Sequence, residues 1–136
     1  MSETVASEKF DLNSLSNLTD LQEEGNELKI LHPGTGEPIG ITMRVAGPDS
    51  KRQKSANSGI IAERAEMRIR KITGARLEDE SIRTAAASVM SWTGVVDNGV
   101  EISYSPSAAL SLLTKYPFIR EQVQVYSSDR ANFLKK

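Results

Sequence analysis

The stretch that decides the fold is residues 28–45, which read Leu-Lys-Ile-Leu-His-Pro-Gly-Thr-Gly-Glu-Pro-Ile-Gly-Ile-Thr-Met-Arg-Val. Large apolar residues occupy every second position from Ile39 to Val45, a period of two that is typical of a strand with one buried face. A shorter apolar run, residues 28–31, precedes them. The segment between the two runs contains two prolines and two glycines, which break regular structure and favour a turn. Residues 28–45 are therefore predicted to form a β-hairpin.

A second and tighter hairpin is predicted at residues 95–104. Asn98-Gly99 stands at its centre, and this dipeptide is the strongest short signal for a type I′ turn, because both central residues need a positive φ. Alternation then predicts that Val100, Ile102 and Tyr104 share one face of the second strand.

The first predicted helix spans residues 51–72. Ser50 is the expected N-cap, and Gln53 completes a capping box. The helix is expected to stop at Thr73-Gly74, because glycine readily adopts the left-handed conformation that ends helices. Its predicted buried stripe consists of apolar residues spaced three or four apart, with two more beside it: Ile61, Ala65, Ile69 and Ile72, flanked by Ile60 and Met67.

The second predicted helix covers about residues 78–92. Its acidic run, residues 78–80, would meet the positive end of the helix dipole. The predicted buried face follows the helical period: Ile82, Ala85, Ala86, Val89 and Trp92 or Thr93.

The C-terminal third is predicted to be helical. Ser105 is the expected N-cap of a helix that begins at Pro106, and Pro117 starts a further helix. Asp129 is expected to cap a last turn. The predicted buried side of the first helix consists of Leu110, Leu112 and Leu113. In the second helix Ile119, Val123 and Tyr126 share one face, and the last turn carries Phe133 and Leu134.

Together these elements predict an α+β fold, in which two short β-hairpins pack against about four helices and the C-terminal half is helical. Residues 27–136 are predicted to form a single domain. Residues 1–26 differ from the rest, because they hold six acids and one base and are therefore predicted to be an acidic N-terminal arm. Such an arm is either mobile or docks on a partner or a neighbouring subunit.

The charge of the whole chain of 136 residues is close to neutral, with 17 basic and 18 acidic residues. The acidic arm is balanced by residues 51–76, which contain eight bases and two acids. This basic helix could contact an acidic protein, neutralise the chain's own arm, or simply be solvated. Binding to nucleic acid is disfavoured, because no aromatic residue lies among the bases and the chain as a whole is not basic.

Composition excludes much of enzyme chemistry. The chain has no cysteine and one histidine, His32, so thiolate sites and sites with two histidines are excluded. No pairing of acid, base and nucleophile can be recognised, so the expectation is a non-enzymatic protein with no cofactor and no metal. No apolar run is long enough for a membrane span, and the polar N-terminus is not expected to be a signal peptide. The expected location is the cytoplasm.

Two stretches resemble a known family. The first is residues 32–41 with Gly47-Pro48-Asp49-Ser50, and the second joins Tyr104-Ser105-Pro106, residues 113–123 and residues 129–134. The second is more specific, because Ser-Pro, Tyr-Pro-Phe-Ile-Arg and Asp-Arg-Ala-Asn-Phe occur in order. Together they resemble the tail assembly chaperones of long-tailed bacteriophages and prophages.

The resemblance implies a role in the cytoplasm of a host bacterium. Members of that family bind the long, aggregation-prone tape-measure protein and keep it soluble until tail-tube protein polymerises around it. The implied partners are therefore the tape-measure protein and the tail-tube protein, and a homo-oligomer would help to coat a long partner.

The resemblance assigns no contact residues, so the candidates come from the aromatic C-terminus. Aromatic side chains beside arginines are typical interface anchors, although at helical spacing they also build cores. The candidate partner-binding residues are Tyr116, Phe118, Arg120, Tyr126, Arg130 and Phe133. Two other functions remain open: a structural virion protein, such as a tail-completion or connector subunit, and a small nucleic-acid-binding regulator that acts through the basic helix.

Overall fold

The structure is a computed structural model, and it describes residues 9–134. Helices and strands are intermixed along the chain, which confirms the α+β class. A 3-10 turn, Leu12–Leu15, comes first. The elements that follow are α1 (Leu18–Glu24), β1 (Asn26–Leu31), β2 (Pro38–Val45), α2 (Lys51–Glu66), α3 (Gly74–Ser88), β3 (Val89–Thr93), β4 (Val96–Asp97), β5 (Val100–Glu101), α4 (Pro106–Lys115), α5 (Pro117–Ser127) and α6 (Ala131–Leu134).

The main sheet is antiparallel, with strand order β1-β2-β3. Its first two strands form the predicted hairpin, in which Leu28 pairs with Met43. The backbone N–H of His32 donates to the Glu37 carbonyl at 2.8 Å and closes the turn. The ring Nδ1 of His32 accepts the backbone N–H of Gly34 at 2.9 Å, so the single histidine serves the turn.

The second predicted hairpin is also confirmed, as the short β4–β5 pair. Asn98 and Gly99 both have a positive φ, 53° and 75°, which a type I′ turn requires. Ile102 and Tyr104 are half-buried, whereas Val100 is exposed. The second strand ends at Glu101, so the prediction that Val100, Ile102 and Tyr104 share one face of it is wrong.

The predicted helix over residues 78–92 is wrong at both ends. Thr73 is an N-cap, and its side chain accepts the N–H of Arg76, so this threonine starts α3 where a helix end was expected. The acidic run consequently lies in the second turn of α3. Beyond Ser88 the chain becomes strand β3, in which Trp92 pairs with Met43. A short apolar run is compatible with both a helix and a strand. Residues 89–93 form a strand because they pair with the open edge of β2.

Helix α2 ends at Glu66, six residues before the predicted end, and its predicted apolar stripe is wrong. Ile61 is 66% exposed, while the buried residues of α2 are Gln53 and Ile60. Charged contacts hold α2 against α3, since Arg64 donates to Glu80 and Arg76 pairs with Glu63 at 2.6 Å. Because ionic contacts hold α2 against α3, α2 does not need to bury an apolar stripe. The apolar residues at helical spacing in α2 therefore do not mark its buried face.

The core lies between the sheet and the helices α3, α4 and α5. Its helical part comprises Ile82, Ala85, Ala86, Ala109, Leu113, Ile119 and Val123, together with Phe133 of α6. The predicted caps are confirmed at Ser50, Ser105 and Asp129, which accept the N–H groups of Gln53 at 3.4 Å, Ala108 at 3.0 Å and Ala131 at 3.0 Å. The predicted capping box is wrong, because the Gln53 side chain donates to the carbonyls of Ala46 and Ser127 instead. The predicted burial of Leu110 is wrong, because this side chain is 41% exposed on the outer face of α4.

Part of the predicted arm contacts the domain. Gln22 on α1 is fully buried, and its side chain accepts the N–H of Asp49 at 2.6 Å and donates to the Asp49 carboxylate at 3.0 Å. In contrast, Phe10 and Leu12 are exposed. Residues 1–8 of the arm lie outside the described residues. The division at residue 26 remains a prediction.

Candidate partner-binding groove

An elbow between α4 and α5 forms one wall of an apolar groove. Tyr116 ends α4 and precedes Pro117, the first residue of α5. A residue before proline is disfavoured in the helical conformation, and Tyr116 accordingly adopts φ −121° and ψ 88°. The break turns the chain so that Tyr116 and Phe118 lie edge to face, with ring centroids 6.2 Å apart.

The opposite wall is built by β3 and the β4–β5 hairpin. The indole N–H of Trp92 donates to the Ile102 carbonyl at 2.8 Å, which fastens the hairpin to the sheet. The ring of Trp92 also meets Tyr104 edge to face at 5.3 Å. Because its indole nitrogen is already paired, Trp92 offers the groove an apolar surface.

The groove between these walls has a volume of about 360 Å³. Only its rim carries charge, where Lys115 and Asp97 approach to 3.9 Å and the Lys115 ammonium lies 5.5 Å from the Tyr116 ring centroid. The lining is otherwise apolar apart from Ser111: Ile39, Ile41, Trp92, Val95, Val96, Ile102, Ala108, Leu112, Tyr116, Phe118 and Ile119.

This arrangement suits the binding of apolar side chains. Groups of apolar and aromatic side chains with a polar rim are the usual anchors of protein interfaces. Within residues 9–134, no cluster of three or more potential metal ligands occurs. Over the same residues, no helix is both long and apolar enough to cross a membrane.

The structure places two of the six candidate residues, Tyr116 and Phe118, in the groove. Two others lie in a separate cluster, where the rings of Tyr126 and Phe133 meet at 5.6 Å. Tyr126 is half-buried and its hydroxyl donates to the Glu27 carbonyl at 3.0 Å, and burial raises the pKa of this phenol. Phe133 is 2% exposed, so in this conformation it packs in the core and presents no surface to a partner.

The two candidate arginines are engaged within the chain. Arg130 donates two hydrogen bonds to the Asp49 carboxylate, at 2.7 and 2.8 Å. This guanidinium, with help from the Gln22 amide, holds the pKa of Asp49 well below its usual value. Arg120 is 13% exposed and approaches Glu78 at 3.4 Å. Both arginines therefore link elements of the domain.

The basic helix is also partly neutralised from within. The Glu80 carboxylate accepts hydrogen bonds from Arg64 and Arg76. These bonds lower the pKa of Glu80 to about 2, and the bond from Arg64 contributes most. Glu63 pairs with Arg76 and Arg83. Arg64, Arg76 and Arg83 therefore hold α2 and α3 together. Their charges are used within the chain, which reduces the basic surface offered to a partner.

Sequence reasoning missed the part of the groove that the sheet supplies. The helical period of residues 78–92 predicts a helix for Trp92, and the sequence predicts for Val96 only that it belongs to a hairpin. A usable signal existed in the alternation that starts at Ile39, because a second strand pairing with β2 would bring its apolar residues beside Ile41. No local pattern in the sequence, however, shows that residues 89–93 are the strand that pairs with β2.

Comparison with known proteins gives a single finding. Neither the curated proteins nor the solved structures contain a match to this chain. The model of one family, described as YdaY prophage protein, matches residues 49–136, which include α2, α3, the β4–β5 hairpin and the α4–α5 elbow. This match covers more than half of the sequence, and the chain therefore belongs to the YdaY prophage protein family.

Proposed function

We propose that this protein is a non-enzymatic tail assembly chaperone, which binds the tape-measure protein of its prophage in the host cytoplasm and keeps it soluble until the tail tube forms. The observation that carries the proposal is the apolar groove at the α4–α5 elbow, about 360 Å³ in volume. Membership of a prophage protein family supports the viral setting. The particular role is supported by the resemblance to tail assembly chaperones, which is carried by residues 32–41, 47–50, 104–106, 113–123 and 129–134.

The groove fits the requirements of a holding chaperone. A few apolar side chains of a helical partner would be shielded between Trp92, Tyr116 and Phe118, while the charged rim at Lys115 remains in water. A groove of this size gives modest affinity for one site. Many weak sites along a long partner nevertheless give strong total binding through effective concentration, and each site can be released in turn as tube subunits arrive.

Co-expression with the tape-measure protein of the same prophage tests the proposal. The groove is blocked by Val96→Asp, which places a carboxylate on its wall at a position that is already 60% exposed. The matched control is Val100→Asp, on the paired strand β5, at a position that is 64% exposed and outside the groove lining. Both changes put the same charge on the same small hairpin.

The expected result is that the wild-type chain and Val100→Asp raise the soluble fraction of the tape-measure protein and co-purify with it. Val96→Asp should lose both effects while keeping a normal melting temperature. If the wild-type chain neither co-purifies nor changes solubility, the proposed function is wrong. If Val96→Asp behaves like Val100→Asp, the groove is rejected as the binding surface.

A further inference from the structure

We propose that Gln122 and Tyr126 cover the outer edge of the main sheet and thereby prevent β1 from pairing with β1 of a second copy. This inference concerns a different surface from the groove and does not rest on the proposed function. It gives a role to two side chains of α5 whose polar groups bond to the backbone of β1.

Strand β1 lies at an edge, because the order of the described strands in this sheet is β1-β2-β3. An edge strand presents backbone N–H and C=O groups that can pair with a strand of another chain. These groups alternate between the two edges of a strand. In β1 the outward groups belong to Glu27, Lys29 and Leu31, since the first and last of these bond to side chains of α5.

Gln122 takes the place of a neighbouring strand at Leu31. Its side-chain oxygen accepts the N–H of Leu31 at 2.8 Å, and its side-chain nitrogen donates to the Leu31 carbonyl at 2.9 Å. An antiparallel strand would make the same two bonds through the C=O and N–H of one residue. The amide of Gln122 therefore uses both backbone groups that Leu31 could offer to another chain.

Tyr126 covers the other end of the same edge. Its hydroxyl donates to the Glu27 carbonyl at 3.0 Å. Its ring packs edge to face against Phe133, with centroids 5.6 Å apart, and this contact positions the hydroxyl. Gln122 and Tyr126 stand four residues apart and so share one face of α5. Helix α5 therefore runs along the edge in the direction opposite to β1.

Lys29 adds a charge to the middle of the edge, where its side chain is exposed. If β1 of two copies paired antiparallel with Glu27 opposite Leu31, Lys29 would lie directly opposite Lys29 of the second copy. Like charges in that position destabilise strand pairing, and lysine is a common means of protecting an edge strand. The charge acts together with the two side chains of α5.

A second copy is the strand partner that a freed edge would accept. Pairing of β1 with β1 is isologous, because the same residues contribute on both sides. It would join two three-stranded sheets into one continuous sheet. The bonds that it needs at Glu27 and Leu31 are the bonds that Tyr126 and Gln122 make within one chain.

The first experiment removes the cover. Gln122→Met keeps the length of the side chain and removes both of its bonds, and Tyr126→Phe keeps the ring and removes the hydroxyl. The matched control is Gln124→Met, the same change two positions further along α5, where the amide donates to Ser81 of α3 at 3.1 Å. Light scattering gives molar mass up to about 0.5 mM, a range that reveals micromolar association.

The double variant Gln122→Met with Tyr126→Phe should dimerise at least about tenfold more strongly than the wild-type chain, and the control should behave as the wild-type chain does. Circular dichroism shows which variants are folded. Each single variant should give an intermediate effect, and these variants decide the test if the double variant does not fold. Folded variants that associate no more strongly than the wild-type chain would overturn the proposal.

A disulfide identifies the paired edge. The chain has no cysteine, so Lys29→Cys introduces a single thiol. In the expected register the two Cα atoms at this position lie about 5.5 Å apart, within the range of roughly 4.4–6.8 Å that a disulfide allows. Under oxidation, Lys29→Cys should form dimers on a denaturing gel much faster in the double variant than in the chain that keeps Gln122 and Tyr126.

The matched thiol is Val125→Cys in the same double variant, at a position that is 72% exposed on α5. It should crosslink more slowly than Lys29→Cys, because its Cα does not lie on the paired edge. The proposal is overturned if Lys29→Cys crosslinks equally fast with and without Gln122 and Tyr126. It is also overturned if Val125→Cys crosslinks faster than Lys29→Cys.

Discussion

Gln53 provides a sharp test of how the domain is held together, because it is a buried polar residue at a junction of three segments. Its side-chain amide donates to the Ser127 carbonyl at 2.9 Å and to the Ala46 carbonyl at 3.3 Å. The first carbonyl belongs to the last turn of α5, where no intrahelical partner exists. Gln53 therefore joins the start of α2 and the end of α5 to the segment that follows β2.

The change Gln53→Met keeps the length of the side chain and removes both donors. Each hydrogen bond contributes about 0.5–1.5 kcal/mol, so the expected loss in the free energy of unfolding is about 1–3 kcal/mol. Urea titration followed by circular dichroism gives this free energy. The control is Lys54→Met, which introduces the same side chain at the next, exposed position and should change stability by less than about 0.5 kcal/mol. Equal, small effects from both changes would refute the reasoning.

Three further predictions concern the core, the ionic contacts and one glycine. Leu113→Ala should lower the free energy of unfolding by about 2–5 kcal/mol in the same titration, since this side chain is fully buried; a loss below about 1 kcal/mol would contradict the packing. Glu80 has a pKa of about 2 in the folded chain against 4.5 ordinarily, so its stabilising effect is complete above about pH 4.5 and is lost as the pH falls through 2. Acid titrations of the wild-type chain and Glu80→Gln should converge over that interval, and parallel curves would contradict the role of the ionic contact. Gly94→Ala should strongly reduce the melting temperature, because Gly94 has φ +82° and a Cβ there would lie 2.0 Å from the Gly40 carbonyl oxygen; an unchanged melting temperature would disprove this close approach.

Local signals in the sequence were sufficient for the hairpins and for the caps at Ser50, Ser105 and Asp129, but not for the Thr73 cap, where the following glycine indicated a helix end. Asn98-Gly99 specifies its turn through the positive φ of both residues, and Ser50 and Ser105 cap helices through their own hydroxyls. Such features depend on neighbours within four residues, so a sequence shows them directly.

Features that depend on distant contacts were missed. Residues 89–93 continue a helical apolar pattern, but pairing with β2 makes them a strand. The contact of α2 with α3 uses Arg64 and Glu80, and no apolar periodicity reveals an ionic interface. The groove was found only in part, because Tyr116 and Phe118 stand out in the sequence, whereas Trp92 and Val96 reach them only through the fold.

The central claim is that the groove at the α4–α5 elbow binds apolar segments of the tape-measure protein. Trp92 is the single tryptophan of the chain and lines that groove, so its fluorescence reports on occupancy without a label. The most direct measurement is a titration of the purified chain with tryptophan-free peptides that cover the tape-measure protein of the same prophage. We predict a saturable change in Trp92 emission for some of these peptides, retained in Val100→Asp and lost in Val96→Asp. An emission spectrum that no peptide changes, or a change that persists equally in Val96→Asp, would contradict the account.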